Sequence, residues 1–185
     1  MLNFKGLARR ERTYYALEME IFLLRHGLAA DRDSLAFKND AARMLLPKGQ
    51  KQIKKVSRAL AEMDLEFDLI LSSPLLRAAE TAEIVASGLN SKKRLKFSDT
   101  LEPEKDPIQL ISRLQRLKPT PNSILLVGHE PFLSRLVSLL TTGGPDLHLD
   151  FAKGGLCKLQ VDMLRADKCA ALEWLLTPRQ MKSMA

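Results

Sequence analysis

Three short apolar runs, at residues 20–24, 68–71 and 123–127, are each followed by a segment whose apolar residues recur at helical spacing, and no other feature narrows the fold as far. Glu20-Ile21-Phe22-Leu23-Leu24 and Ser123-Ile124-Leu125-Leu126-Val127 are apolar at consecutive rather than alternate positions, the pattern of strands covered on both faces. Such strands need helices above and below them, and strands joined through helices run parallel. The helices are legible as well. Pro47-Lys48-Gly49 marks a turn, after which Ile53, Val56, Leu60 and Met63 follow a helical period between lysines. Ser72-Ser73-Pro74 reads as a serine cap with proline in the first turn of a helix reaching Gly88. Leu95 and Phe97 suggest a short third strand, and Asp106-Pro107 opens a helix with Ile108, Ile111 and Leu114 on one face, stopped near Pro119. Leu133, Leu136, Val137 and Leu140 carry the next helix to Gly143-Gly144. Residues 155–176 alternate and break near Asp167, which predicts a hairpin. The expected fold is an α/β three-layer sandwich, a mostly parallel central sheet with helices on both faces.

A chain of 185 residues that is 45% hydrophobic and 28% charged suffices for one core, so residues 19–185 are expected to form a single domain. Residues 1–18 carry Lys5, Arg9, Arg10 and Arg12 without an apolar period. They read as a basic extension outside the core, either a disordered arm or a segment that is not native, since Met19 stands directly before the first strand. No run approaches the roughly 18 apolar residues of a membrane span, and the start lacks a secretory apolar segment, so a cytoplasmic protein with no membrane partner is expected. Cys157 and Cys169 have no metal-ligand spacing and are expected to be reduced and structural. The 29 Lys and Arg against 22 Asp and Glu leave a formal +7, which favours anionic partners. Two Tyr and one Trp are too few to interleave with those cations as a single-strand binding surface requires, so nucleic acid is not the expected partner. The lysine-rich segment from Lys48 to Arg58 reads as a solvated helix face.

Ligands of open α/β sheets bind beyond the carboxyl ends of the strands. His26 follows the first run, with Arg25 before it and Gly27 after it; Arg77 lies in the first turns of the helix after the second run; His129 follows the run at 123–127. Two of the three histidines therefore point to one place, while His148, in a Gly-Pro-Asp region, reads as a surface residue. A lone histidine at a strand end is ordinarily a packed residue bonded to backbone, and a lone arginine at position 77 would ordinarily balance Glu80 in solvent. Their convergence changes that reading. Guanidinium groups suit a phosphoryl group, and a helix N-terminus already favours an anion, so Arg25, Arg77 and His129 outline an oxyanion cage around His26.

Leu24-Arg25-His26-Gly27, Ser72-Ser73-Pro74-Leu75-Leu76-Arg77-Ala78-Ala79-Glu80-Thr81 and Val127-Gly128-His129 resemble the three signatures of the histidine phosphatase superfamily. Arg43 with Leu45-Leu46-Pro47-Lys48-Gly49 resembles the family's R-P-L-T-x-x-G segment, with Met44 in place of the proline. The short stretch between the second and third signatures, and the ending Glu173-Trp174-Leu175-Leu176-Thr177-Pro178, are similar to the SixA branch of phosphohistidine phosphatases. The resemblance implies a phosphatase in which His26 is the nucleophile and forms a covalent phosphohistidine, with Arg25, Arg43, Arg77 and His129 on the phosphoryl oxygens. It implies no metal and no cofactor. Its implied partner is a phosphorylated histidine phosphotransfer protein. Such a nucleophile must be neutral, and positive neighbours lower a histidine pKa. Family members that cleave esters use a carboxylate acid, for which Glu102 is the positional candidate; it reads equally as a solvated loop residue. Glu130 reads as a cap of the following helix. Imidazole leaves more readily than an alkoxide, so a phosphohistidine substrate does not require a strong acid. Two alternatives stand beside this reading: a general phosphomonoesterase for small esters and a noncatalytic phosphoprotein-binding module.

Overall fold

The computed structural model describes residues 19–30 and 40–184, so the basic extension expected at 1–18 lies outside the described residues. Six strands form one sheet: β1 (Met19–Arg25), β2 (Leu69–Ser72), β3 (Leu95–Phe97), β4 (Ser123–Gly128), β5 (Leu156–Val161) and β6 (Ala170–Leu176), in the spatial order β3-β2-β4-β1-β5-β6. β1, β2, β3 and β4 are mutually parallel where they pair, β5 runs antiparallel to β1, and β6 closes the expected hairpin antiparallel to β5.

The consecutive apolar residues of the strands feed two cores, one on each face. On one side Ile21, Leu23, Leu71, Ile124 and Leu126 pack with Leu110, Ile111 and Leu114 of α3 (Pro107–Gln115) and Leu133, Leu136, Val137 and Leu140 of α4 (Phe132–Thr142). On the other, Phe22, Leu24, Ile70, Leu125 and Val127 meet Ile53, Val56 and Leu60 of α1 (Pro47–Glu62), Ala78, Ala82 and Val85 of α2 (Leu76–Gly88), and Met181 of α5 (Pro178–Met184). Neighbouring residues of one strand point to opposite faces, which is why a doubly covered strand is apolar without interruption.

Several local expectations are corrected. Pro47-Lys48-Gly49 is the first turn of α1 rather than a turn before it. Gly49 sits there because the loop after β1 crosses the helix: a Cβ on it would lie 1.9 Å from the Leu28 carbonyl oxygen. In α3 the buried stripe is Leu110, Ile111 and Leu114, whereas Ile108 is 47% exposed; Asp106 caps the helix by accepting from the Ile108 N–H at 2.9 Å. Ser72 and Ser73 do not cap α2, which begins only at Leu76 and has no side-chain cap. α5 was not anticipated, although Thr177-Pro178-Arg179-Gln180 spells a capping box: Thr177 Oγ1 accepts from the Gln180 N–H at 3.3 Å and Gln180 Oε1 from the Thr177 N–H at 2.8 Å.

Candidate active site

Strand register builds the site. Arg25 pairs with Gly128 and Ser72 with Val127, so β1, β4 and β2 end level. The ladder runs one residue further on each side, His26 N–H donating to the Gly128 carbonyl at 3.0 Å and Ser73 N–H to the Val127 carbonyl at 3.0 Å. His26, His129 and Ser73 therefore share one edge of the sheet, with β4 in the middle.

His26 is 5% exposed, and its ring centroid lies 5.1 Å from that of His129, the planes inclined at 52°. His26 Nδ1 donates to the Gly27 carbonyl at 2.8 Å. A carbonyl only accepts, so Nδ1 carries the proton and Nε2 keeps its lone pair. Burial pushes the His26 pKa down to about 3; Arg77, Arg25 and Lys153 push the same way, against the Gly27 hydrogen bond. His129, 1% exposed, is pushed down to about 2, again mainly by burial, with Arg77 next. Both rings are neutral at physiological pH.

Two glycine-dependent contacts and one hydroxyl hold the loop that carries His26. Gly27 lies so close to α1 that a Cβ would come within 2.7 Å of Ile53 Cγ1. Its N–H donates to Thr81 Oγ1 at 3.1 Å, and that hydroxyl donates to the Arg77 carbonyl at 2.7 Å, fastening the loop to α2. From the opposite side the segment before β5 closes in: Gly154 N–H points at the carbonyls of both His26 and Arg25, and Gln52 bridges Leu28 N–H to the Lys153 carbonyl.

The expected cage residues fall in different places. Arg77 is buried at 3% exposure on the second residue of α2 and does not pair with Glu80, whose Oε2 instead accepts from the Leu45 N–H at 2.6 Å. Arg77 Nη1 donates to the Asp40 carbonyl at 2.9 Å and Nη2 to Asp40 Oδ2 at 3.0 Å. Arg43 reaches the same wall, with Nη1 on Asp40 Oδ1 at 2.6 Å and Nε on the Ala30 carbonyl at 2.9 Å. Arg25 anchors Nη1 on the Phe151 carbonyl at 2.5 Å. Glu102 follows the 3-10 turn Asp99–Leu101, half-buried, and its side chain makes no hydrogen bond or ion pair among the described residues. Glu130 caps α4 as expected, accepting from the Ser134 N–H at 3.2 Å; burial raises its carboxyl above the usual range. His148 is exposed. Cys157 and Cys169 are buried free thiols, and burial pushes Cys157 up to about 12.

Three participants escaped the sequence reading. Ser73 is fully buried and its Oγ lies 2.9 Å from His129 Nε2, while it also accepts from the Leu75 N–H at 3.3 Å; the hydroxyl taken for a helix cap is a partner of the second histidine. Asp40 bridges two arginines. Lys153 lends charge to His26 from a segment with no recognisable motif. Only Ser73 left a signal, its place inside the second signature.

A neutral buried imidazole with a free Nε2, beside guanidiniums and a second buried imidazole, can attack an electrophilic phosphorus and hold its oxygens while charge redistributes. Comparisons with known proteins place the chain in one family. The profile of the histidine phosphatase superfamily (branch 1) matches residues 21–102. An uncharacterised protein of Picosynechococcus sp. is 36% identical over 143 residues, covering 77% of this chain and 85% of that protein. Phosphohistidine phosphatase SixA of Escherichia coli is 31% identical over 126 residues, covering 68% of this chain and 76% of that one. The solved structure of the protein histidine phosphatase SixA complexed with tungstate superimposes with a TM-score of 0.76 at 27% identity, over 89% of this chain and 100% of that one. The alpha-ribazole phosphatase of Shigella flexneri shares the fold at a TM-score of 0.67 and 21% identity, over 86% of this chain and 97% of that one. With its three signatures gathered at one sheet edge and these relatives matched over most of their length, the chain belongs to the histidine phosphatase superfamily, branch 1, and is similar within it to the SixA phosphohistidine phosphatases.

Proposed function

We propose that the chain is a phosphohistidine phosphatase whose nucleophile is His26. The observation that carries the reading is the Nδ1–H bond from His26 to the Gly27 carbonyl inside a buried, cationic surround, which leaves Nε2 unprotonated for attack. Nε2 forms a bond to phosphorus as the bond from phosphorus to the substrate imidazole breaks in line with it. Arg25, Arg77 and His129 bind the nonbridging oxygens, with Arg43 supporting the wall behind Arg77. Water then attacks the phosphorylated His26, inorganic phosphate leaves, and the imidazole is regenerated neutral. An imidazole leaving group fits a site where two nearby carboxylates are already engaged, Glu130 on Ser134 and Asp40 on the arginines. The likeness to SixA supports the same substrate class, and the reading makes a phosphorylated protein the partner and the cytoplasm the location.

A second reading, general phosphomonoesterase activity on small esters, draws on Glu102, a half-buried carboxylate with no hydrogen bond or ion pair among the described residues. The deciding experiment compares initial rates on a phosphohistidine-bearing phosphotransfer protein and on p-nitrophenyl phosphate, with chelator present, for wild type, His26→Ala and Glu102→Gln. Phosphoprotein turnover that vanishes in His26→Ala and survives in Glu102→Gln is expected. Efficient ester turnover that needs Glu102, with an inert phosphoprotein, would establish the second reading. No turnover of either would turn the site into a phosphoprotein-binding module.

A further inference from the structure

His129 and Ser73 face each other beyond the ends of β4 and β2, and the hydrogens between them can be placed by counting donors and acceptors. His129 Nε2 lies 2.9 Å from Ser73 Oγ, and the same oxygen accepts from the Leu75 N–H at 3.3 Å. Both side chains are buried. His129 Nδ1 is buried as well and has no hydrogen-bond partner among the described residues. Burial, with Arg77 next, keeps the ring neutral, so it has one proton to place on one of two nitrogens.

With that proton on Nε2, Ser73 Oγ would accept twice, from His129 and from Leu75, and its own hydrogen would find no acceptor. His129 Nδ1 would present a lone pair to no donor, and two buried polar groups would go unmet. With the proton on Nδ1, Ser73 donates to the bare Nε2 while accepting from Leu75, and every group in the pair is satisfied except the Nδ1–H. An unmet buried group is costly, so the arrangement that leaves one is favoured over the arrangement that leaves two. The group left over is a hydrogen-bond donor, on a ring whose centroid lies 5.1 Å from that of His26. His26 also carries its proton on Nδ1, held by the Gly27 carbonyl. The neighbouring imidazoles thus take the same tautomer to opposite ends, one keeping a lone pair to attack with and the other an N–H to give.

We infer that Ser73 is a positioning residue whose hydroxyl fixes the His129 tautomer, so that Nδ1–H is the donor this histidine offers to a phosphoryl oxygen. The inference rests on the reading of His26 as a nucleophile toward phosphorus, since the phosphoryl group supplies the acceptor that the Nδ1–H lacks. A donor set before the substrate arrives needs no proton to move as negative charge grows on that oxygen.

Two-bond nitrogen–proton correlation NMR on nitrogen-15-labelled protein near neutral pH tests it, with His148→Gln and His26→Gln assigning the ring signals by subtraction. In wild type, His129 should show a protonated Nδ1 and a bare Nε2; the reverse pattern, or a signal averaged over both tautomers, would overturn the inference. Ser73→Ala should turn His129 into a mixture of tautomers and Ser73→Thr should keep the wild-type pattern. A pattern unaltered in Ser73→Ala would overturn the role given to the hydroxyl. Thermal melting checks that Ser73→Ala is folded; should it not be, the wild-type and Ser73→Thr spectra decide. Inorganic phosphate added to wild type should move the Nδ1 proton downfield as it gains an acceptor, and a His129 signal that stays in place while those of His26 shift would overturn the donor role. No turnover is measured, so the expected pattern together with an inert phosphoprotein would sink the substrate assignment and leave the tautomer standing.

Discussion

The two neutral buried histidines should make the fold acid-sensitive by a calculable amount. In the unfolded chain each imidazole titrates near its ordinary value of 6.5, while in the folded protein His26 lies at about 3 and His129 at about 2. A depressed histidine means that the unfolded state binds protons first, so stability is full above about pH 6.5 and declines as pH falls toward the folded values. At pH 5 both folded rings are still neutral, and the loss depends only on the unfolded pKa: about 1.5 pH units below 6.5 at about 1.4 kcal/mol per unit, or about 2 kcal/mol for each ring. The pair should therefore remove about 4 kcal/mol between pH 8 and pH 5, a large share of the stability of an ordinary domain. Urea unfolding at the two pH values, on wild type, His26→Gln and His129→Gln, reads this directly. Each substitution is expected to lower stability at pH 8 yet to reduce the loss on acidification by about 2 kcal/mol. A pH dependence unchanged in both variants would refute the claim that these rings are held neutral, and with it the proposal that His26 is pre-set for attack.

Ser73→Ala should leave His129 Nε2 without its hydroxyl partner inside a sealed site, costing about 1–3 kcal/mol in denaturant unfolding. Because His129 would then lose its orientation, kcat should fall by roughly tenfold or more while KM changes little, and Ser73→Thr should recover part of the rate. Gly49→Ala should destabilise by more than about 2 kcal/mol, since the new Cβ meets the backbone oxygen of Leu28 and not a movable side chain; thermal melting checks it, and a neutral result would mean that the loop after β1 yields easily.

The fold was largely legible because strands covered on both faces are apolar throughout and helices repeat every three or four residues, and both patterns are local. Where the reading went astray, two uses of the same residue types competed. Serines beside a proline suit a helix cap, yet the Val127 carbonyl extends the ladder to Ser73 and turns its hydroxyl toward His129. Ile108 satisfies the helical period as well as Leu110, but only the docking of α3 on the sheet decides which of them is covered.

What the sequence determined by itself is the chemistry at each strand end: an arginine and histidine after β1, an arginine opening α2, a histidine after β4, each written within a few residues of an apolar run. What only the tertiary structure decided is which of these groups meet, and what meets them. Ser73 reaches His129 because β2 and β4 are neighbours in register, and the segment at 151–155 reaches His26 because β5 pairs with β1. Asp40, bound to Arg43 three positions on, reaches Arg77 across 37 positions of sequence. Such contacts depend on strand order and on where a turn lands against a helix, and both emerge from packing the whole core, beyond any local pattern of residues.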